Sequence, residues 1–108
     1  MSTMDRGKLK RLEAAGWRSG DAADFLELSP EEAAFVELKL ALADYLRAIR
    51  IRQGLTQTHV AKLLGSSQSR VAKMEAAEAS VSIDLLVRSL LRLGATRTEV
   101  AEAIARAA

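Results

Sequence analysis

Residues 54–75 read GLTQTHVAKLLGSSQSRVAKME, and the order of residue types in this stretch decides the fold. Thr56 and Ser67 each stand where a side-chain oxygen caps the start of a helix. Gly65, between them, is the residue that tolerates the left-handed backbone of a tight turn. Val60 and Leu64 lie on one side of the first segment, and Val71 and Met74 on one side of the second. Ala61 is small where two steeply crossed helices must approach. The stretch therefore predicts two short helices, Gln57 to Leu64 and Gln68 to about Ala77, joined at Gly65. Of seven positions compared with this plan, one departs from it: Ser66, after the glycine, stands where an apolar residue is usual.

Such a pair outlines a helix-turn-helix, a device that lays its second helix in the major groove of DNA. The face left outward on that helix is polar. Gln68, Ser69, Arg70 and Lys73 are the candidate base-reading residues, with Ala72 beside them. Gln presents a donor and an acceptor that match adenine, Ser suits several bases, and Arg or Lys reads guanine or holds phosphate. Thr56, Gln57, Lys62 and Ser67 are the candidate phosphate contacts, because a helix start offers unpaired N–H groups to an anion. Ala61, Gly65 and Val71 carry the motif's shape.

Outward from this motif every signal is helical. Ser29-Pro30-Glu31-Glu32 is a strong helix start, with Ser29 as cap and Glu32 as the acid of a capping box. That helix is expected to reach about Gln53, with Gly54 as its stop and Phe35, Leu38, Leu42, Tyr45 or Leu46, and Ile49 as its apolar stripe. On the other side, Ser82 caps a helix from Ile83 to about Leu93, and Thr96-x-x-Glu99 is a capping box for one from Arg97 to about Arg106. Ahead of residue 29 the pattern is weaker. Residues 1–7 are expected to be mobile, and Lys8–Ala15 and Asp21–Leu28 are short helical stretches around Gly16 and Gly20. The fold expected is all-α, with residues 1–35 an N-terminal helical segment and 36–108 the DNA-binding domain.

Composition agrees with helix: Pro occurs once and no cysteine occurs, which excludes disulfides and Cys-based metal sites. The N-terminus lacks the apolar stretch of a signal peptide, and no run of apolar residues is long enough to span a membrane, so a cytoplasmic location is expected. The net charge of +2 is unevenly placed. Residues 1–44 hold 6 Lys/Arg against 9 Asp/Glu, and residues 45–108 hold 10 against 5. A basic C-terminal part suits a polyanion; both parts also fit ordinary solvated faces.

The segment Arg50-x-x-x-Gly54-Leu55-Thr56-Gln57-x-x-Val60-Ala61-x-x-Leu64-Gly65, then Ser67-Gln68-Ser69-x-Val71-x-x-Met74-Glu75, resembles the Cro/CI-type (XRE) helix-turn-helix family. The resemblance continues through Ser82-Ile83-Asp84-Leu85-Leu86 to Gly94. It implies a five-helix, lambda-repressor-like domain, usually dimeric, that regulates transcription from a palindromic operator on double-stranded DNA. It also implies that Arg50 pairs with Glu75 and fixes the angle of the reading helix; the other reading makes Arg50 a phosphate contact and Glu75 a solvated residue. The whole chain, including GW-x-x-GDAADFLELSPEE, further resembles the HigA-type antitoxins, which repress their own operon and neutralise a RelE/HigB-like toxin. The acidic, aromatic-bearing 17–35 region is the candidate toxin-masking segment. The alternative is a stand-alone regulator with no toxin partner.

Other residues have two readings each. Trp17 either anchors a protein partner or pins the N-terminal segment, and Phe25 and Phe35 fit that same packing. Leu90, Leu91 and Leu93 with Val100 and Ile104 form either a homodimer interface or a monomer core. Arg88, Arg92 and Arg97 are either solvated or near flanking phosphates. His59 is read as a surface residue, because a metal or catalytic site would need partners that are lacking. No phosphate-cradling glycine loop or HExxH is present. Neither catalysis nor a cofactor or metal is expected.

Overall fold

The computed structural model describes residues 7, 10 and 29–106. Five helices follow one another: α1 (Pro30–Arg52), α2 (Gln57–Leu64), α3 (Gln68–Glu75), α4 (Ile83–Arg92) and α5 (Arg97–Ala105), with no strand among the described residues. The expected short helices 8–15 and 21–28, together with Trp17 and Phe25, lie outside the described residues. The division placed at residue 35 falls within α1, which runs through it unbroken.

Each helix starts where a side-chain oxygen meets the backbone N–H three residues on. Ser29, Thr56, Ser67, Ser82 and Thr96 accept from Glu32, His59, Arg70, Leu85 and Glu99 respectively. At Ser29 and Thr96 the acid three residues later returns a bond to the cap's own N–H, completing the box. Ser29 holds the Glu32 carboxyl below its ordinary value through that hydrogen bond.

The first four helices end in a shared way. The α2 chain turns left-handed at Gly65 (φ +65°), and the Ser66 N–H donates back to the Ala61 carbonyl at 2.8 Å. The ends of α1 and α4 close likewise at Gly54 and Gly94. After α3 the left-handed position is occupied by Ala77 (φ +54°), while the Glu78 N–H reaches the Lys73 carbonyl at 3.0 Å. Ala77 is almost wholly buried, so its methyl group packs inside while its backbone holds an unfavourable region.

The core lies where α1 crosses the other four helices. Leu42, Leu46 and Ile49 of α1 meet Val60 and Ala61 of α2, Val71 and Met74 of α3, Leu86 and Leu90 of α4, and Val100 of α5. Eight large side chains are almost wholly enclosed, and truncating one such leucine to alanine typically costs about 2–5 kcal/mol. The expected α1 stripe needs one correction. Leu42, Leu46 and Ile49 are buried and Leu38 and Tyr45 pack at the margin, but Phe35 is 51% exposed. Phe35 lies two turns ahead of Leu42, and the core cluster begins only at Leu38. Leu90, Leu91, Leu93, Val100 and Ile104 have two readings in the sequence, homodimer interface or monomer core. Leu90, Leu93 and Val100 are buried within the chain, Ile104 is partly buried, and only Leu91 is exposed, so the apolar surplus narrows to a single residue.

The Gly65 turn gives a clean stability test. A Cβ there would meet nothing within 4 Å, so only the backbone conformation opposes a side chain. Gly65→Ala should cost about 1–2 kcal/mol, and Gly65→Asn clearly less, because asparagine visits the left-handed region more readily. Urea unfolding midpoints at unchanged slope measure this, and equal costs for the two variants would refute it.

Candidate nucleic-acid interface

The motif's inner positions behave as its spacing requires. Val60, Ala61, Val71 and Met74 are buried, with exposures of 0%, 3%, 0% and 1%. On α3 this leaves Gln68, Ser69, Arg70 and Lys73 exposed in a row. Ser69, Arg70 and Lys73 share a hollow of about 260 Å³ with Ser67, Val81 and Ser80. Ser80, on the loop after α3, carried no distinguishing signal in sequence; only the fold brings its hydroxyl beside the reading helix. On α2, Thr56 and Lys62 line a second, shallower hollow of about 180 Å³, together with Thr58 and His59. His59 is exposed there and belongs to the surface around the α2 start.

Gln68 is placed differently from its neighbours. Its Nε2 donates to Gln57 Oε1 at 2.7 Å, Gln57 Nε2 donates to Glu75 Oε1 at 3.2 Å, and Arg50 Nη2 donates to Glu75 Oε1 at 3.0 Å. Arg50 Nε also bonds Glu75 Oε2 at 2.5 Å, and Arg50 Nη1 reaches the Leu55 carbonyl at 3.0 Å. Four side chains from α1, α2 and both ends of α3 thus form one chain of bonds. The Arg50–Glu75 pair exists, and its side chains are only 15% and 5% exposed. The hydrogen bond to Glu75 raises the Arg50 pKa above its ordinary value.

This relay has a direction. An ionised carboxylate only accepts, so the Gln57 amide must turn its NH₂ to Glu75 and its oxygen to Gln68. Gln68 must then direct its own NH₂ to Gln57. It is left with a carbonyl oxygen and one N–H for whatever lies outside, the pair that matches the N6 and N7 edge of adenine. Gln57 was expected to hold phosphate. Its side chain is committed to the relay, so any phosphate role rests on the backbone N–H groups at the start of α2.

One further position, Lys39, bears on the site. Lys39, 3% exposed, donates its ammonium to the Ala79 carbonyl at 3.3 Å, tying α1 to the loop behind α3. Burial lowers its pKa below the ordinary lysine value. Among the described residues, no three of His, Asp and Glu gather as a metal site would need, and no helix is long and apolar enough to cross a membrane.

A family model described as a helix-turn-helix domain matches residues 41–103, more than half of the chain. No curated protein and no solved structure shows a significant match.

The buried pair predicts an asymmetry between single and double replacements. Arg50→Met alone strands the Glu75 carboxylate and should destabilise by about 3–5 kcal/mol. Replacing both, Arg50→Met with Glu75→Leu, should restore most of that stability, because an apolar pair of similar volume is near neutral. Chemical denaturation of the two variants checks this; a double variant no more stable than the single one would contradict it.

Proposed function

The chain belongs to the helix-turn-helix domain family, and from that premise we propose that it is a sequence-specific transcriptional repressor. In this reading it binds a palindromic operator as a homodimer. The observation that supports it best is the Arg50–Glu75–Gln57–Gln68 relay, which holds the exposed amide at the start of α3 in one orientation. A surface glutamine with no task gains little from three partners lined up behind it, whereas a base-reading glutamine gains a fixed donor and acceptor.

The division of labour follows from chemistry. Thr56, Lys62 and Ser67, with the N–H groups at the start of α2, hold phosphate and set the register without reading sequence. Gln68, Ser69, Arg70 and Lys73 choose the site, each good base contact being worth about 1–3 kcal/mol of discrimination. The excess of basic over acidic residues in 45–108 supports the nonspecific part of the affinity, which falls as salt rises.

The finer reading is that of an antitoxin, which represses its own operon and masks a RelE/HigB-like toxin. It is favoured by the opposite charge balance of residues 1–44, with 9 acidic against 6 basic residues. That balance does nothing for DNA and suits a basic protein partner. The stand-alone regulator lacks such a partner.

Gln68→Ala should relax base choice at one position of each half-site and weaken operator binding by about 1–3 kcal/mol. Selection of bound sequences from a random pool, followed by fluorescence anisotropy, measures both effects. Unchanged selectivity would sink the assignment. Coexpression with a neighbouring RelE-like reading frame tests the antitoxin reading: full neutralisation by a chain lacking residues 1–30 would remove the toxin interface from that segment.

A further inference from the structure

Ser66, the one departure from the motif's plan, has an unusual setting. Its Oγ is buried and has no hydrogen-bond partner. It lines a groove of about 470 Å³ between the α2–α3 turn, the flank of α3 and the side of α4. Leu64, Met74 and Leu85 contribute apolar lining, and three arginines, Arg70, Arg88 and Arg92, line it as well.

No carboxylate lines this groove. Arg88 has a contact to Asp84 at 3.6 Å, but both side chains are more than three-quarters exposed, so water weakens the pair. Among the described residues neither Arg70 nor Arg92 has a side-chain hydrogen bond or ion pair. Three cations brought into one hollow repel one another, and an oxyanion relieves that repulsion. Guanidinium forks suit carboxylate and phosphate oxygens two at a time. The volume falls within the roughly 300–1,000 Å³ usual for small-molecule sites.

We propose that this groove binds a small organic anion, a phosphate monoester or carboxylate with an apolar body that covers Leu64, Met74 and Leu85. Arg70 also lines the hollow it shares with Ser69, Lys73 and Ser80 on the reading side. An anion that engages Arg70 therefore withdraws it from DNA, so the ligand weakens operator binding. This regulatory half rests on the DNA-binding reading; the binding half does not.

The test is a ¹⁵N NMR titration of the full chain, without DNA, using phenyl phosphate, inorganic phosphate and phenol at constant ionic strength. Phenyl phosphate should give saturable shifts confined to Ser66, Arg70, Leu85, Arg88 and Arg92, with a Kd on the order of 1 mM. Inorganic phosphate should bind about tenfold more weakly, and phenol should give no localised shifts. Arg88→Gln/Arg92→Gln alters only exposed side chains and should lower phenyl phosphate affinity at least about tenfold, with unchanged helical circular dichroism. Shifts that do not saturate, or equal affinity in this variant, overturn the groove. With operator DNA present, saturating phenyl phosphate should raise the DNA Kd of the unaltered chain and leave that of the variant unchanged. An unaffected Kd overturns the regulatory half. A chain that binds no DNA overturns the DNA-binding reading instead, and the titration still decides the groove.

Discussion

The pairing of Arg50 with Glu75 is the constraint on which the reading surface depends. Glu75 is the last residue of α3 and is almost fully enclosed. A carboxylate in that position is tolerable only with a cation and donors close by. Arg50 supplies both from the end of α1, and an N–H on its Nη1 reaches the Leu55 carbonyl ahead of α2. One guanidinium thus joins the long helix, the lead into the motif and the end of the reading helix. Replacing the pair by apolar side chains can retain the fold, but it removes the charge that orients Gln57 and, through it, Gln68. Stability and the orientation of the Gln68 amide are therefore separable at this site.

Much of the fold was legible because the signals were local. A cap needs a hydroxyl and an N–H three residues away, and all five expected caps are in place. The turn needed a left-handed residue at one position, and Gly65 is there. What stayed hidden depends on distance in the fold. Gln57 and Gln68 are eleven residues apart, and Gln57 and Glu75 eighteen, so no spacing rule announces their contact. Lys39 is buried against a carbonyl forty residues away, where its type reads as solvated. Ala77 closes α3 in a conformation that an alanine does not advertise. Phe35 continues an apolar stripe that outlasts the core it was assigned to.

The two flanks of the reading helix differ in character. On the Gln68 flank, side chains are tied to one another through the relay. On the Arg70 flank, long cationic side chains stand around open hollows, and Ser66 has a hydroxyl with no partner. The first arrangement suits discrimination, since fixed donors and acceptors reject a wrong edge. The second suits attraction to negative charge of varied shape, where adaptability costs little.

The α1 helix grips the reading unit twice, through Lys39 at the loop beyond α3 and through Arg50 at its last residue. Those residues are eleven positions apart, about 16 Å along the helix axis. These contacts hold the end of α3 to α1, beside the apolar packing of Val71 and Met74 against Leu42, Leu46 and Ile49. A helix held by both core packing and polar ties has little freedom to alter its approach angle to the groove it meets. Accommodation then falls to the duplex, whose bending and groove width vary with sequence even at base pairs no side chain touches. DNA binding would thus include a mechanical component, favouring steps that deform easily to meet the helix.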